Sequence, residues 1–536
     1  MYSQLVDNRP FENGCERPIV WSIAASDCGG GAGIQADTLT IQDLGGHACN
    51  IVTAITAQNS HQVEDVSPVS PDILTKQLNC LLYDIPPKAI KIGVLADTEQ
   101  VHLLSHWLAG NLAAYEQTHH IQIPIIWDPV MFTTSGHALT TGKQQANIDA
   151  YFCLAKQVNL LTPNLSELKV LAGAFEGQCE GQGQGQEKDE LAALDHLAEF
   201  VETNILLTGG DSQDSQVIDW LAARKIAHTS ERHQYQRIGF NGSRVNTRHN
   251  HGTGCTLSSA IATAMALGHP LLDAIAIAKA YVHQGLSYSY GLGKGPGVLA
   301  RNGWPKILLH FPEIIMPQYP QLTDVAEHKF ANVRRPLKVY SVTQSLSVLE
   351  QVLKAGARTA QLRIKLPCDK ETLEQDIRQA VALGKKYQAQ VFINDHWQLA
   401  IKHDAFGVHL GQEDMLQADL PKIANAGLAL GLSSHGYFEM LLVQQLSPSY
   451  LAVGHIFATP TKQMPSQPQG ILKLMRYCQL LKDKLPLVAI GGIDEFNLAQ
   501  VKATQVHDVA IVRGIELAPD PAKSWQALQQ AWQAST

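Results

Sequence analysis

The chain has 536 residues, 45% hydrophobic and 17% charged, too many for one ordinary core, so two or more domains are expected. Its 41 basic and 49 acidic side chains give a net charge of −8, and with no basic block this argues against nucleic acid as the main partner. No apolar run reaches the ~18 residues of a membrane helix, and nine scattered cysteines without a CxxC pair point to neither disulfides nor zinc.

The first residues are polar, with Asp7, Asn8, Arg9 and Pro10 where a secretory signal would be apolar. A cytoplasmic, soluble protein acting on small molecules is expected. From residue 17 to about 300, β-rich runs at 19–24, 48–56, 89–94, 123–127, 158–161 and 205–208 alternate with amphipathic stretches. That alternation predicts a mainly parallel sheet covered by helices. The run Gly181-Gln182-Gly183-Gln184-Gly185-Gln186 reads as a low-complexity loop insertion.

The most informative stretch follows: His251-Gly252-Thr253-Gly254-Cys255-Thr256, leading into an apolar pattern of Leu257, Ile261, Met265 and Leu267. Glycines flanking a hydroxyl before a helix can aim backbone N–H groups and the helix dipole at one anion. Cys255 then falls on the first helical turn, where its pKa is expected to drop below about 8.5. Such an arrangement suits phosphoryl transfer. A helix start with a buried cysteine is the plain alternative.

Between roughly 304 and 336 the pattern breaks, with Pro305, Pro312, Pro317, Pro320 and Pro336. A first domain over 17–304, a linker over 305–336 and a second domain over 337–536 are expected. Eight further strand patterns follow, at 337–342, 359–364, 390–394, 406–410, 428–432, 450–453, 487–490 and 509–512. Eight strands with intervening helices in about 200 residues is the lower size limit of a (β/α)8 barrel. Active sites of that fold gather at the C-terminal strand ends, where this chain places Gln361, Arg363, Lys365, Asn394, Asp395, His409, Asp414, Ser433, Thr459, Thr461, Lys462, Gly491, Gly492 and Arg513. Arg363, Lys365 and Lys462 suit a phosphate or diphosphate. Asp395 and Asp414 suit Mg²⁺, which takes oxygen ligands shared with phosphates.

These barrel residues also resemble a known family. Gln361-Leu362-Arg363-Ile364-Lys365, Ile393-Asn394-Asp395, Gly407-Val408-His409-Leu410-Gly411-Gln412-Glu413-Asp414, Thr459-Pro460-Thr461-Lys462 and Ala489-Ile490-Gly491-Gly492-Ile493 are similar to thiamine phosphate synthase. The resemblance implies condensation of a pyrimidine diphosphate with thiazole phosphate. It assigns the diphosphate to Gln361, Arg363, Lys365, Asn394 and Lys462, and Mg²⁺ to Asp395 and Asp414. Thr459, Thr461, Gly492, Val512 and Arg513 would hold the thiazole phosphate, with Ser433 on the pyrimidine side. His455 stands where the family usually has proline, and Arg513 where it usually has serine.

The first half resembles hydroxymethylpyrimidine/phosphomethylpyrimidine kinase of the ribokinase-like superfamily. The resemblance rests on Ser26-Asp27-Cys28-Gly29-Gly30-Gly31-Ala32-Gly33-Ile34-Gln35-Ala36-Asp37, Thr56-Ala57-Gln58-Asn59, Lys91-Ile92-Gly93-Val94-Leu95, Asp128-Pro129-Val130-Met131, Thr162-Pro163-Asn164-Leu165-Ser166-Glu167 and the Gly-Thr-Gly-Cys motif. It implies an α/β/α fold. Gly252, Thr253 and Gly254 would form an anion hole, Cys255 would take the alcohol proton, and Asn164 and Glu167 would organise Mg²⁺–ATP. Ala32, Asp37, Gln58 and Val94 would bind the pyrimidine, although Asp37 alone could equally be a helix-surface carboxylate. Thr208 stands where some relatives carry a phosphate-contacting lysine.

Together the two resemblances imply an ATP- and Mg²⁺-dependent bifunctional enzyme of thiamine biosynthesis, possible as a homodimer since dimers are the commonest soluble assembly. The competing expectation is a pyridoxine/pyridoxal-type kinase joined to a non-catalytic, ligand-binding barrel.

Overall fold

A computed structural model of the chain describes residues 17–130, 148–176, 186–212, 214–224, 235–322, 329–365, 369–459 and 467–534. Met131, Thr461, Lys462, residues 1–16 and residues 181–185 of the glycine–glutamine run lie outside the described residues. The chain divides into two compact units, Met1–Gln318 and Tyr319–Thr536.

The first unit is built on a ten-stranded sheet. Its strands are β1 (Ile19–Asp27), β2 (His47–Gln58), β3 (Val63–Pro68), β4 (Ala89–Ile92), β5 (Ile125–Trp127), β6 (Leu160–Leu161), β7 (Asn204–Leu207), β8 (Gln216–Arg224), β9 (Tyr235–Ser243) and β10 (Glu313–Ile315). The spatial order is β10-β9-β8-β7-β6-β5-β4-β1-β2-β3. Strands β7 to β2 along that order run parallel, whereas β3, β8, β9 and β10 are antiparallel additions at the two edges. The sequence reading missed these four because an edge strand with one wet face, such as Val63–Pro68, keeps charged residues and lacks a continuous apolar run.

Alternation along the strands gives the two faces different work. Trp21, Ile23, Ile90 and Ile92 face a large apolar core completed by Leu74, Leu78, Val101, Leu104, Phe152, Leu154, Leu168 and Leu194. Their neighbours Ser22 and Lys91 face the helices Gly33–Asp43 and Thr253–Ala266, where they meet Asp37.

The segment expected as a linker is not an uninterrupted spacer. Glu313–Ile315 is an edge strand of the first sheet, because it pairs with β9. Further on, Ala331 donates its N–H to Leu428 O at 3.1 Å, and Arg334 N–H is received by Gln390 in the second unit.

That second unit is a closed parallel barrel of β11 (Val339–Thr343), β12 (Thr359–Leu362), β13 (Gln390–Asn394), β14 (Gly407–Leu410), β15 (Ala429–Ser434), β16 (Tyr450–Val453), β17 (Leu487–Ile490) and β18 (Asp508–Ile511). Its interior is filled by Tyr340, Val342, Phe392, Tyr450, Ala452, Val488 and Ala510, a packed core rather than a pore. Gly431 is required by that packing: a Cβ there would lie 2.2 Å from Tyr450 Cζ. Among the described residues no helix is long and apolar enough to cross a membrane.

Candidate active sites

In the first unit two glycine turns meet at the C-terminal edge of the parallel strands, the usual ligand crevice of such sheets. Asp27 ends β1, and its carboxylate accepts from the N–H groups of Gly29, Gly31 and Ala32 at 2.8, 3.0 and 2.9 Å. Burial works against the charged form of Asp27. His251 and the Gly29 and Ala32 N–H groups outweigh it, holding the carboxyl below its ordinary value. The second turn places Gly252 at φ 81 immediately before the helix Thr253–Ala266. A Cβ at Gly252 would stand 2.0 Å from Gly31 O, so the two turns touch and neither conformation nor space admits a side chain. Gln58, at the end of β2, brings Nε2 to 3.4 Å from His251 Nε2, which is itself 3.4 Å from Asp27. Ala32 and Val94 sit at the same edge, Ala32 before the first helix and Val94 buried in a small apolar cluster with Ala25, Ala54 and Ala96.

Asp37 is different from the expectation that it contacts a ligand. It is fully buried, and its oxygens receive Ser22 Oγ at 2.6 Å, Ser259 Oγ at 2.6 Å and Lys91 Nζ at 2.8 and 3.0 Å. With both oxygens engaged, it holds a buried cation rather than a pyrimidine. Lys91 is also fully buried, and although burial opposes its charge, Asp37, Cys255 and Asp128 together raise its pKa.

Cys255 lies on the first turn of its helix, but the expected fall in its pKa does not occur. Burial pushes the thiol up to about 12; Lys91 pulls it down, while Asp37 and Asp128 push it further up. A helix dipole effect of typically 0.3–1 kcal/mol cannot overcome desolvation of that size. Asp128, buried beneath the same turn with Ser258 Oγ 3.4 Å away, is pushed up to about 6, again chiefly by burial. Asn164 and Glu167 form a reciprocal pair at a helix start: Asn164 N–H donates to Glu167 and Glu167 N–H to Asn164, each at 2.9 Å. Thr208 bridges to Asn164 from the end of β7.

The barrel mouth gathers the second set. Gln361 Nε2 donates to Asn394 Oδ1 at 2.8 Å, and Lys365 pairs with Asp395, which has φ 63. Asp414, on the helix Gln412–Gln417 directly after β14, is raised by burial, by the Asp395 charge and by a hydrogen bond with that carboxyl. Two carboxyls pressed together next to a lysine fit a divalent cation, which would relieve their repulsion. Among the described residues no cluster of three or more His, Cys, Asp or Glu could hold a metal, so any cation here would take further ligands from elsewhere.

Arg363 is half-buried and Arg513 exposed at the start of the helix Arg513–Glu516, with Val512 as its cap. Gly491 and Gly492 both have positive φ, and Cβ atoms there would stand 2.4 Å from His455 Cβ and 2.8 Å from Phe457 O. Their loop therefore packs on the one that carries His455 and Thr459. Ser433 at the end of β15 lies 2.8 Å from His409 Nε2.

Comparison with known proteins decides what these faces belong to. The phosphomethylpyrimidine kinase family matches residues 27–300, about half of the chain. The thiamine monophosphate synthase family matches residues 338–515. A thiamine-phosphate synthase of Yersinia pestis is 51% identical over 197 residues, covering 37% of this chain and 89% of the relative. That of Pectobacterium atrosepticum is 50% identical over 191 residues, covering 36% and 89%. The chain belongs to the phosphomethylpyrimidine kinase and thiamine-phosphate synthase families.

It is thus a bifunctional transferase of thiamine biosynthesis, a phosphomethylpyrimidine kinase fused to a thiamine-phosphate synthase. Among solved structures, a pyridoxal kinase from Staphylococcus aureus aligns at 23% identity and TM-score 0.45, covering 56% of this chain and 98% of that one. A phosphomethylpyrimidine kinase from Clostridium difficile aligns at 27% and 0.37, covering 50% and 98%.

The kinase site contains members to which the sequence reading gave no role. Asp27, Lys91 and Asp128 stood inside the quoted motifs, yet only the fold shows what they touch. Lys91 carried a usable signal: a lysine between Ile90 and Ile92 in a buried strand requires a counter-charge. In the synthase, Tyr450 and Gln412 were missed, Tyr450 because an inward aromatic reads as core, Gln412 because its bond to Ser433 O crosses strands.

Proposed function

We propose that the kinase unit phosphorylates 4-amino-5-hydroxymethyl-2-methylpyrimidine with ATP, first to the monophosphate and then to the diphosphate. The synthase unit would then couple that diphosphate to thiazole phosphate, releasing pyrophosphate and thiamine phosphate. One observation carries this reading: a single chain joins a pyrimidine phosphate kinase to the synthase that consumes its product.

At the kinase site, Gly252, Thr253 and Gly254 would form the anion hole for the transferring phosphoryl group on the positive end of their helix, the Thr253 N–H first leaving Asn250 O, to which it donates at 3.3 Å. Ala32, Gln58 and Val94 would seat the pyrimidine, with His251 beside Gln58 supported as a further contact by their 3.4 Å approach. Asn164 and Glu167 would orient Mg²⁺–ATP through water, their own conformations already fixed by mutual capping. Cys255 would accept the alcohol proton. With burial pushing that thiol up to about 12, it is protonated near pH 7 and would act as the acceptor only after giving up its own proton. Asp128, at about 6, is the second acceptor that the same cluster offers.

At the synthase site, Gln361, Arg363, Lys365, Asn394 and Lys462 would bind the diphosphate. Asp395 and Asp414 would hold Mg²⁺, which supplies positive charge to the leaving oxygens. Thr459, Thr461, Gly492, Val512 and Arg513 would bind the thiazole phosphate, Arg513 with a two-pronged guanidinium in place of a hydroxyl. Ser433 would hold the pyrimidine. The test is a one-pot reaction of purified protein with hydroxymethylpyrimidine, thiazole phosphate, ATP and Mg²⁺, read by mass spectrometry. Thiamine phosphate is the expected product; pyrimidine phosphates accumulating without it would overturn the synthase half.

A further inference from the structure

A chain of hydrogen bonds runs through the barrel core to its mouth. Tyr340 O–H donates to the Tyr450 hydroxyl at 3.2 Å, the Tyr450 hydroxyl lies 2.8 Å from His409 Nδ1, and His409 Nε2 lies 2.8 Å from Ser433 Oγ. Tyr340, Tyr450 and His409 are buried, at 1%, 0% and 6% exposure, whereas Ser433 at the mouth is half-buried. Gly431 on β15 leaves the space that the Tyr450 ring occupies.

Donor counting fixes the direction. Each tyrosine has one proton to give, and a neutral imidazole has one N–H and one bare nitrogen. The ring is buried between two hydroxyls with no carboxylate on either nitrogen, and burial disfavours the charged imidazolium, so His409 is neutral. Suppose the proton sat on Nδ1. His409 would donate to Tyr450, Tyr450 to Tyr340, and the Tyr340 proton would have no acceptor among the described residues. A buried donor left unmade disfavours that arrangement about tenfold or more. With the proton on Nε2, all donors are satisfied: Tyr340 to Tyr450, Tyr450 to His409 Nδ1, and His409 Nε2–H to Ser433 Oγ. The Ser433 proton alone is left over, with no acceptor among the described residues.

We propose that Tyr450 is a positioning residue of the synthase: by donating to His409 Nδ1 it locks the Nε2–H tautomer and so turns Ser433 into an obligatory hydrogen-bond donor toward the bound substrate. The substrate group so recognised is an acceptor, such as a ring nitrogen or a diphosphate oxygen. This rests on the reading of Ser433 as a substrate contact. Tyr340 closes the chain but does not set its direction, because without it Tyr450 still has only Nδ1 to donate to.

The experiment is ¹⁵N NMR of the full chain with labelled histidine, the His409 signals being found by their loss in His409→Gln, together with synthase kinetics on supplied pyrimidine diphosphate. The expected result is a protonated Nε2 and a bare Nδ1 in the wild type, retained in Tyr340→Phe. Tyr450→Phe is expected to move the proton toward Nδ1 and to lower synthase kcat about tenfold. Ser433→Ala should lose activity while keeping the tautomer. A proton on Nδ1 in the wild type overturns the proposal, as does Tyr450→Phe with an unchanged tautomer or with wild-type kcat. If the tautomer behaves as expected but Ser433→Ala retains full activity, the reading of Ser433 as a substrate contact fails instead.

Discussion

At the scale of single residues, the kinase site is a small set of charges removed from water and forced to satisfy one another. Lys91 and Asp37 neutralise each other beneath Cys255, and breaking such a pair leaves an unpaired buried charge at a cost of about 3–5 kcal/mol. Lys91→Ala is therefore expected to destabilise the first unit by about that amount, measured as a lower denaturant midpoint for loss of kinase activity. Asp27 is a gentler case. Its depressed pKa means that it stabilises the fold above the unfolded value of about 3.9 and that this contribution is lost as pH falls through the lower folded value. Asp27→Ala should cost about 2–3 kcal/mol at pH 7, the worth of bonds to a charged acceptor. The gap between variant and wild type should narrow as the pH is lowered below 4. An unchanging gap would mean that Asp27 acts through shape and not charge. Of these residues the sequence revealed the identities and the motif spacing; that Asp37 faces inward, and that Cys255 is raised and not lowered, followed from what surrounds them.

At the scale of elements, two close approaches carry the sites. The turn before the helix Thr253–Ala266 presses on the glycine loop after β1, and β15 passes the Tyr450 ring at Gly431. Gly252→Ala puts a methyl group into Gly31 O at an unfavourable positive φ, so kinase turnover is expected to fall at least a hundredfold while synthase turnover on supplied diphosphate is kept. Gly431→Ala is the mirror experiment: overpacking the barrel core costs about 1–3 kcal/mol, and synthase kcat should fall with kinase turnover unaffected. Steady-state assays of each half-reaction check both. The parallel strands and the eight barrel strands were legible because a strand buried on both faces writes a continuous apolar run. The antiparallel strands at the edges of the first sheet were not, since a half-wet strand of three to nine residues resembles a loop in composition.

At the scale of the whole molecule, two units with separate cores share one chain, and their chemistry should be separable. Cys255→Ala is expected to reduce kinase turnover at least a hundredfold, the contribution of a positioned proton acceptor, and Asp395→Ala to abolish coupling alone. Mixing these two variants with hydroxymethylpyrimidine, thiazole phosphate, ATP and Mg²⁺ should restore thiamine phosphate at a rate proportional to the wild-type half of each, if the diphosphate passes through solution. No restoration would mean that it is handed on within one chain. By itself the sequence determined the two families, the parallel strands of each unit and most of the chemistry at the strand ends, because hydrophobic periodicity and motif spacing are local and survive in one dimension. The tertiary structure alone decided which charges are buried together, which way Asp37 faces, and that a tyrosine at the barrel's centre is linked through His409 to the serine at its mouth. Those depend on contacts between residues far apart in the chain, where desolvation and the number of available donors, not residue type, set the outcome.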